Sequence, residues 1–146
     1  MSYASRQAEL VAALVAGAAV PEGFDDRLVG AARQALLRKR AGDVARHWPL
    51  LAAGLGPDWG GTFAEWAARR PTGGSLRDGW DLARSLAARG PLPVPAAREL
   101  ALREVRWRYD GNRPPRPRRL PAVRRVGRAY AVQVAGRVWL LGADRG

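Results

Sequence analysis

Residues 112–121 read NRPPRPRRLP, with four prolines in ten positions. Proline locks φ and offers no amide hydrogen, so such a stretch neither continues a helix nor fits the middle of a sheet. It runs extended, and it divides the chain. Before it, apolar residues recur at helical spacing. After it, they alternate with period two. The division predicts a helical domain over residues 1–110, a Pro/Arg-rich linker over 111–121 and a small β-meander over 122–146. Three short strands do not stand alone in water, so the meander is expected to pack on the helices. The expected fold class is mainly α: a bundle of about five to six helices with a small C-terminal antiparallel meander.

The helices follow from local signals. Leu10, Val11, Leu14 and Val15 make one face of a first helix over residues 5–16, which Gly17 and Pro21-Glu22-Gly23 end. The apolar run Leu10 to Val20 is too short to span a bilayer and lacks the basic start of a signal peptide, so it reads as a core helix. Asp25-Asp26 suit a helix start, since carboxylates cap free amides at the positive end of the dipole. The helix they open carries Leu28, Val29, Ala32 and Leu36, passes Gly42 and stops at Pro49. Leu50 to Leu55 reads as a short turn closed by Gly56. Trp59, Phe63, Trp66 and Ala67 face one side of the next helix, which breaks at Arg69-Arg70-Pro71. Ser75 to Asp78 has the spacing of a capping box, in which hydroxyl and carboxylate satisfy exposed amides reciprocally. Leu76, Trp80, Ala83 and Ala87 line the helix it opens, and Gly90-Pro91 stops it. Pro95 suits a first helical turn. Leu102, Val105 and Tyr109 then mark a last helix, although Val105 to Tyr109 also alternates as a strand would; Pro95 and the Glu99–Glu104 segment favour the helix.

In the last third, strands are expected near 121–126, 129–134 and 137–142, with two-residue turns at Gly127-Arg128 and Ala135-Gly136. Charge changes at the same boundary. Residues 1–100 hold 13 basic and 10 acidic side chains, and residues 101–146 hold 12 and 3. Ten arginines fall between Arg103 and Arg128. Most of the formal net charge of +12 therefore sits in the tail, and an acidic partner is expected there.

Reactive chemistry is sparse. The chain has no Cys, which excludes disulfides, thiolate metal sites and Cys nucleophiles. Its one His, His47, has Asp43 as its sole near carboxylate, and a surface or capping role outweighs a metal site. No Ser lies in a nucleophile elbow. Asp25-Asp26 and Asp78/Asp81 are explained by helix starts. Gly60-Gly61 and Gly73-Gly74 follow no strand and precede no Lys-Ser/Thr, so no phosphate loop is indicated. The chain reads as a non-enzyme with no metal or cofactor. Trp48, Trp59, Trp66 and Trp80 fall at core spacing. Trp107 and Trp139, in the basic region, are expected to pack the tail onto the helices rather than to stack on a ligand.

What the residues support is binding. A short meander leaves open strand edges, to which an extended peptide can add by backbone hydrogen bonds. The candidate peptide contacts are Arg124, Arg128, Tyr130, Val132 and Val134. Arg38 and Arg40 are the candidate contacts to a partner on the helical side. The alternative is a sequence-tolerant nucleic-acid binder using the same arginines on phosphates, though no recognition helix or RNA-binding aromatic signature is present.

The order of structural residues resembles a known family. Gln7 with Leu10, Pro21 with Gly23, Arg38 to Arg40, Trp48-Pro49, Leu55-Gly56, Phe63 with Trp66, Pro71 and Gly79-Trp80 follow one another as in the helical domain of HvfC/BufC-type partner proteins. The resemblance covers about residues 6–108, and the tail after Asn112 is shorter than the second domain of typical members. That helical domain also carries a DNA-binding label. The resemblance implies an accessory subunit of a multinuclear non-haem iron-dependent oxidative enzyme. Such a subunit helps present the leader of a ribosomally made precursor peptide. It implies iron ligands on the enzyme rather than on this chain; with no apolar run long enough to span a bilayer, no membrane association is expected, and the expected location is cytoplasmic.

Overall fold

A computed structural model describes residues 2–142. Six α-helices precede two small antiparallel sheets, so the chain is mainly α with a C-terminal meander. Helix α1 spans Tyr3–Ala16, α2 Asp26–His47, α3 Pro49–Leu55, α4 Trp59–Ala67, α5 Ser75–Arg89 and α6 Val94–Arg106; a 3₁₀ turn, Gly56–Asp58, joins α3 to α4.

Helix α2 runs through Gly30 and Gly42 without a break, because a 22-residue helix tolerates isolated weak positions when its neighbours pack. Asp25 caps it, accepting from the amides of Arg27 (2.8 Å) and Leu28 (3.4 Å). Arg33 of α2 reaches back to the end of α1 and donates to the carbonyls of Ala13 and Ala18, satisfying acceptors that the helix end leaves free.

Two local expectations need correction. Leu50–Leu55 is not a turn: it is helix α3, with Pro49 at its first position. Proline stops α2 and pre-sets the next helix in one residue. The amide of Leu51 is taken by the buried carboxylate of Glu99, 2.7 Å away on α6, a cap that lies 48 residues along the chain. The Ser75 capping box does not form either. Ser75 is already helical and its side chain makes no cap; Gly74, at φ 97°, holds the N-cap position. Asp78 turns back instead, accepting from the Gly73 amide (2.8 Å), the Thr72 hydroxyl (2.7 Å) and Arg40 (3.1 Å).

The main core is aromatic. Trp48 and Trp80 are fully buried and meet edge to face, with ring centroids 5.7 Å apart. Leu51, Phe63, Leu82 and Tyr109 complete it, with Trp59, Trp66 and Trp107 packed at its margin. Each buried indole N–H has an acceptor, as a buried donor requires: Trp48 donates to the Leu76 carbonyl (2.9 Å) and Trp80 to Glu104 (2.8 Å).

Helix α6 ends at Arg106. The next residues form strand β1, Trp107–Arg108, which pairs with β2, Arg116–Pro117. The helix and strand readings of Val105–Tyr109 were thus each right for part of the segment. Nor is the proline-rich stretch a bare tether. Asp110 closes its turn by accepting from the amides of Asn112 and Arg113, and Arg118 donates to the carbonyls of Glu104 (2.8 Å) and Trp107 (3.2 Å). These bonds tie it to the end of α6.

Strands β3 (Ala122–Val126), β4 (Ala129–Val134) and β5 (Arg137–Leu141) form the second sheet, in the order β3-β4-β5. The turns are the tight ones the twist of a hairpin prefers: Gly127 at φ 59° before Arg128, and Ala135 at φ 50° with Gly136 at φ 79°. A second, smaller apolar cluster joins the sheet to α6. It holds Ala101 and Val105 from the helix and Ala131 from β4, with Val126, Val138 and Leu140 beside them.

Candidate functional site

The pleat of β3–β5 sorts its side chains by face. Ala129, Ala131 and Gln133 of β4 are buried towards α6, while Tyr130, Val132 and Val134 lie on the opposite, outer face. Antiparallel register puts Val123, Val132 and Trp139 in one cross-strand row and Arg125, Tyr130 and Leu141 in the next; Val134 pairs with Arg137. Helix α6 packs against the inner side of all three strands. Val123, Tyr130, Val134, Trp139 and Leu141 are consequently between 44% and 54% exposed, although sheet geometry places them side by side.

The five expected peptide contacts are therefore not one cluster. Tyr130, Val132 and Val134 stand along one strand of the outer face. Arg124 is in register with Ala131, so it belongs to the helix side, and Arg128 sits in the β3–β4 turn; both line a groove between that turn and α6. Trp139, Val123 and Leu141 complete the outer face and were missed as contacts. The alternation Arg137, Trp139, Leu141 carried that signal. Trp139 also departs from expectation in not packing on the helices: its row faces away from α6, whereas Trp107 does pack on the core.

On the helical side, Arg38 is exposed. Arg40 is engaged by the fold itself. It pairs with buried Asp78, donates to the Arg70 carbonyl (3.0 Å) and lies over the Phe63 ring, 5.7 Å from its centroid.

One acid marks the junction of helices and sheet. Glu104 accepts from the Trp80 indole (2.8 Å) and from Arg84 Nε (2.7 Å). Burial would raise its pKa, but the bonds from Arg84 and Trp80 and the charges of Arg84 and Arg124 outweigh it and hold the carboxyl below the usual glutamate range. The sign follows from linkage. A depressed folded-state pKa stabilises above the unfolded value, and the contribution is lost as pH falls through the folded value. Glu104→Gln should therefore be less stable than the parent at neutral pH, with the gap closing in acid. Urea midpoints measured from neutral pH to below the glutamate range check this; a gap that is constant with pH contradicts it.

Asp81 accepts from the Tyr109 hydroxyl (3.0 Å), and His47 is exposed at the end of α2. Among the described residues no three His, Asp or Glu are grouped as a metal ion would need, and no helix is long and apolar enough to cross a membrane.

Residues 4–88 match the family model described as SCO6045-like, C-terminal domain. The chain is 40% identical over 119 residues to a UPF0276 protein of Streptomyces avermitilis. The match covers 81% of this chain and 24% of the relative, so the chain spans about a quarter of that relative's length. No solved structure matches it.

Proposed function

We propose, from the premise that the chain belongs to the SCO6045-like C-terminal domain family, that it is a non-catalytic accessory module that docks on a larger catalytic body and holds an extended peptide on its C-terminal sheet. The observation that carries the reading is the outer face of β3–β5. It presents adjacent apolar rows, Arg125 and Arg137 among them, and open edges on β3 and β5. Such a face offers the two things an extended peptide needs: backbone partners at an edge and side-chain contacts at alternate positions.

The larger body is supported by the relatives. The family is described as a C-terminal domain, and the Streptomyces avermitilis relative is about four times as long as the region it shares with this chain. A module covalently joined to another body in one protein can serve a separate body in another. The resemblance to HvfC/BufC-type proteins gives that body as a multinuclear non-haem iron-dependent oxidative enzyme and the peptide as the leader of a ribosomally made precursor. In this reading Arg38, exposed on α2, contacts the enzyme, and Arg40 supports α2 from within.

The test uses two probes. A neutral peptide alternating Val and Thr, fluorescently labelled, should bind this protein. Tyr130→Ser combined with Trp139→Ser should weaken it about tenfold, the loss of roughly 1.4 kcal/mol, with the far-UV spectrum unchanged. The part of the Streptomyces avermitilis relative outside the shared region, expressed as its own chain, should co-elute with this protein, less so after Arg38→Glu. No peptide binding, or binding indifferent to the outer face, overturns the peptide role. A body that never associates overturns the accessory role.

A further inference from the structure

The side of the sheet opposite the peptide face holds a groove that the outer-face reading does not use. It lies between the end of α5, the first turns of α6 and the β3–β4 turn, with a volume of ≈ 810 Å³, within the usual range of ligand sites. Its apolar lining is Leu92, Val94, Leu100 and Val126; Val94 is 61% exposed. Around these stand Arg84, Arg98, Arg124 and Arg128, with Arg125 of the outer face bonded beside the β3–β4 turn.

The charge is unbalanced. Among the described residues Glu104 is the one acid lining the groove, and its carboxylate is already bonded to Arg84 and Trp80. Arg84 is spent on Glu104 and on the Tyr109 carbonyl. Arg98, Arg124, Arg125 and Arg128 have no carboxylate partner among the described residues; Arg124 and Arg125 bond backbone carbonyls of their own hairpin, and Arg98 and Arg128 make no hydrogen bond there. Among the described residues, three cations, Arg98, Arg124 and Arg128, face this apolar surface with no carboxylate paired to them.

We infer that this groove is a second binding site, for an acidic amphipathic peptide segment whose apolar side chains enter between α6 and the β3–β4 turn while its carboxylates meet Arg98, Arg124 and Arg128. The inference rests on the peptide-binding reading and adds to it a separate site with a separate chemistry. Charge complementarity selects an anion. The apolar lining selects one with hydrocarbon to bury, which bare phosphate lacks. Nucleic acid fits less well, because single strands are held by stacking on aromatic rings and no lining residue among those described is aromatic.

The probes are a labelled peptide of repeating Leu and Glu and its Leu/Gln counterpart, titrated at two salt concentrations. The acidic peptide should bind at least tenfold more tightly than the neutral one. Arg98→Ala with Arg128→Ala should remove most of that difference. Ala97→Phe, which narrows the groove and keeps every arginine, should weaken the acidic peptide about tenfold; Val94→Glu, at an exposed position, should do the same if Ala97→Phe disturbs the fold. Tyr130→Ser with Trp139→Ser should leave it unchanged. Equal binding of the two peptides overturns the inference, as does loss only on arginine removal with none on narrowing, which would be surface attraction alone. Displacement of the acidic peptide by an oligothymidylate at lower concentration than by unlabelled peptide would also overturn it. Because the Val/Thr probe reports on the outer face, failure at the groove and failure of the broader reading give different patterns.

Discussion

Gly79→Ala should be strongly destabilising, costing about 3 kcal/mol, at the top of the usual range for overfilling a core. A Cβ built on Gly79 would lie 2.1 Å from Cδ1 and 2.4 Å from Nε1 of Trp48. That ring cannot retreat. It is fully buried, its N–H is held by the Leu76 carbonyl, and Trp80 meets it edge to face. Gly42→Ala is the matched control. It too is a helical glycine, but nothing lies within 4 Å of the added carbon, so it should stabilise by about 0.5–1 kcal/mol through helix propensity alone. Chemical denaturation of both variants checks the pair. A mild Gly79→Ala would mean that α5 and Trp48 are not in the contact described.

Asp78→Ala should cost about 3 kcal/mol, because breaking a buried ion pair leaves its partner's charge uncompensated. Three donors lose their acceptor at once: the Arg40 guanidinium, the Thr72 hydroxyl and the Gly73 amide. Arg40 is then a largely buried cation facing no anion. Adding Arg40→Met should recover part of the loss, since the stranded charge goes with it, and the double variant should be less unstable than the two single effects summed. Strict additivity would show that the pair is not coupled. The same experiment separates roles on α2, where Arg40 substitutions should act on stability and Arg38 substitutions on association.

Much of this architecture was legible in the sequence because its signals are local. The Gly17 and Pro21 breaks, the Asp25 cap, the Trp59–Phe63–Trp66 face and the two glycine turns each act over a few residues, and the structure places helices, turns and strands accordingly. The misses have a common cause, which is distance along the chain. Helix α3 is capped by Glu99 from α6, and the start of α5 is organised by Asp78 with Arg40 from α2. Neither partner is near in sequence. The candidate site fared differently. Alternation in β4 gave Tyr130, Val132 and Val134 a shared face, but which face stays open depends on where α6 lies. Charge counting found the arginines without sorting Arg124 and Arg128 to the groove side, because the pleat and the register decide that.

The most direct test of the account follows backbone amide resonances of isotopically labelled protein during titration with the Val/Thr peptide. Shifts should concentrate in β3 to β5 and at the Trp139 indole, with amides of an edge strand gaining protection from hydrogen exchange, while α1 to α5 stay unmoved. Shifts confined to the helices, or none at saturating peptide, would contradict the claim that the terminal sheet is where this protein holds its ligand.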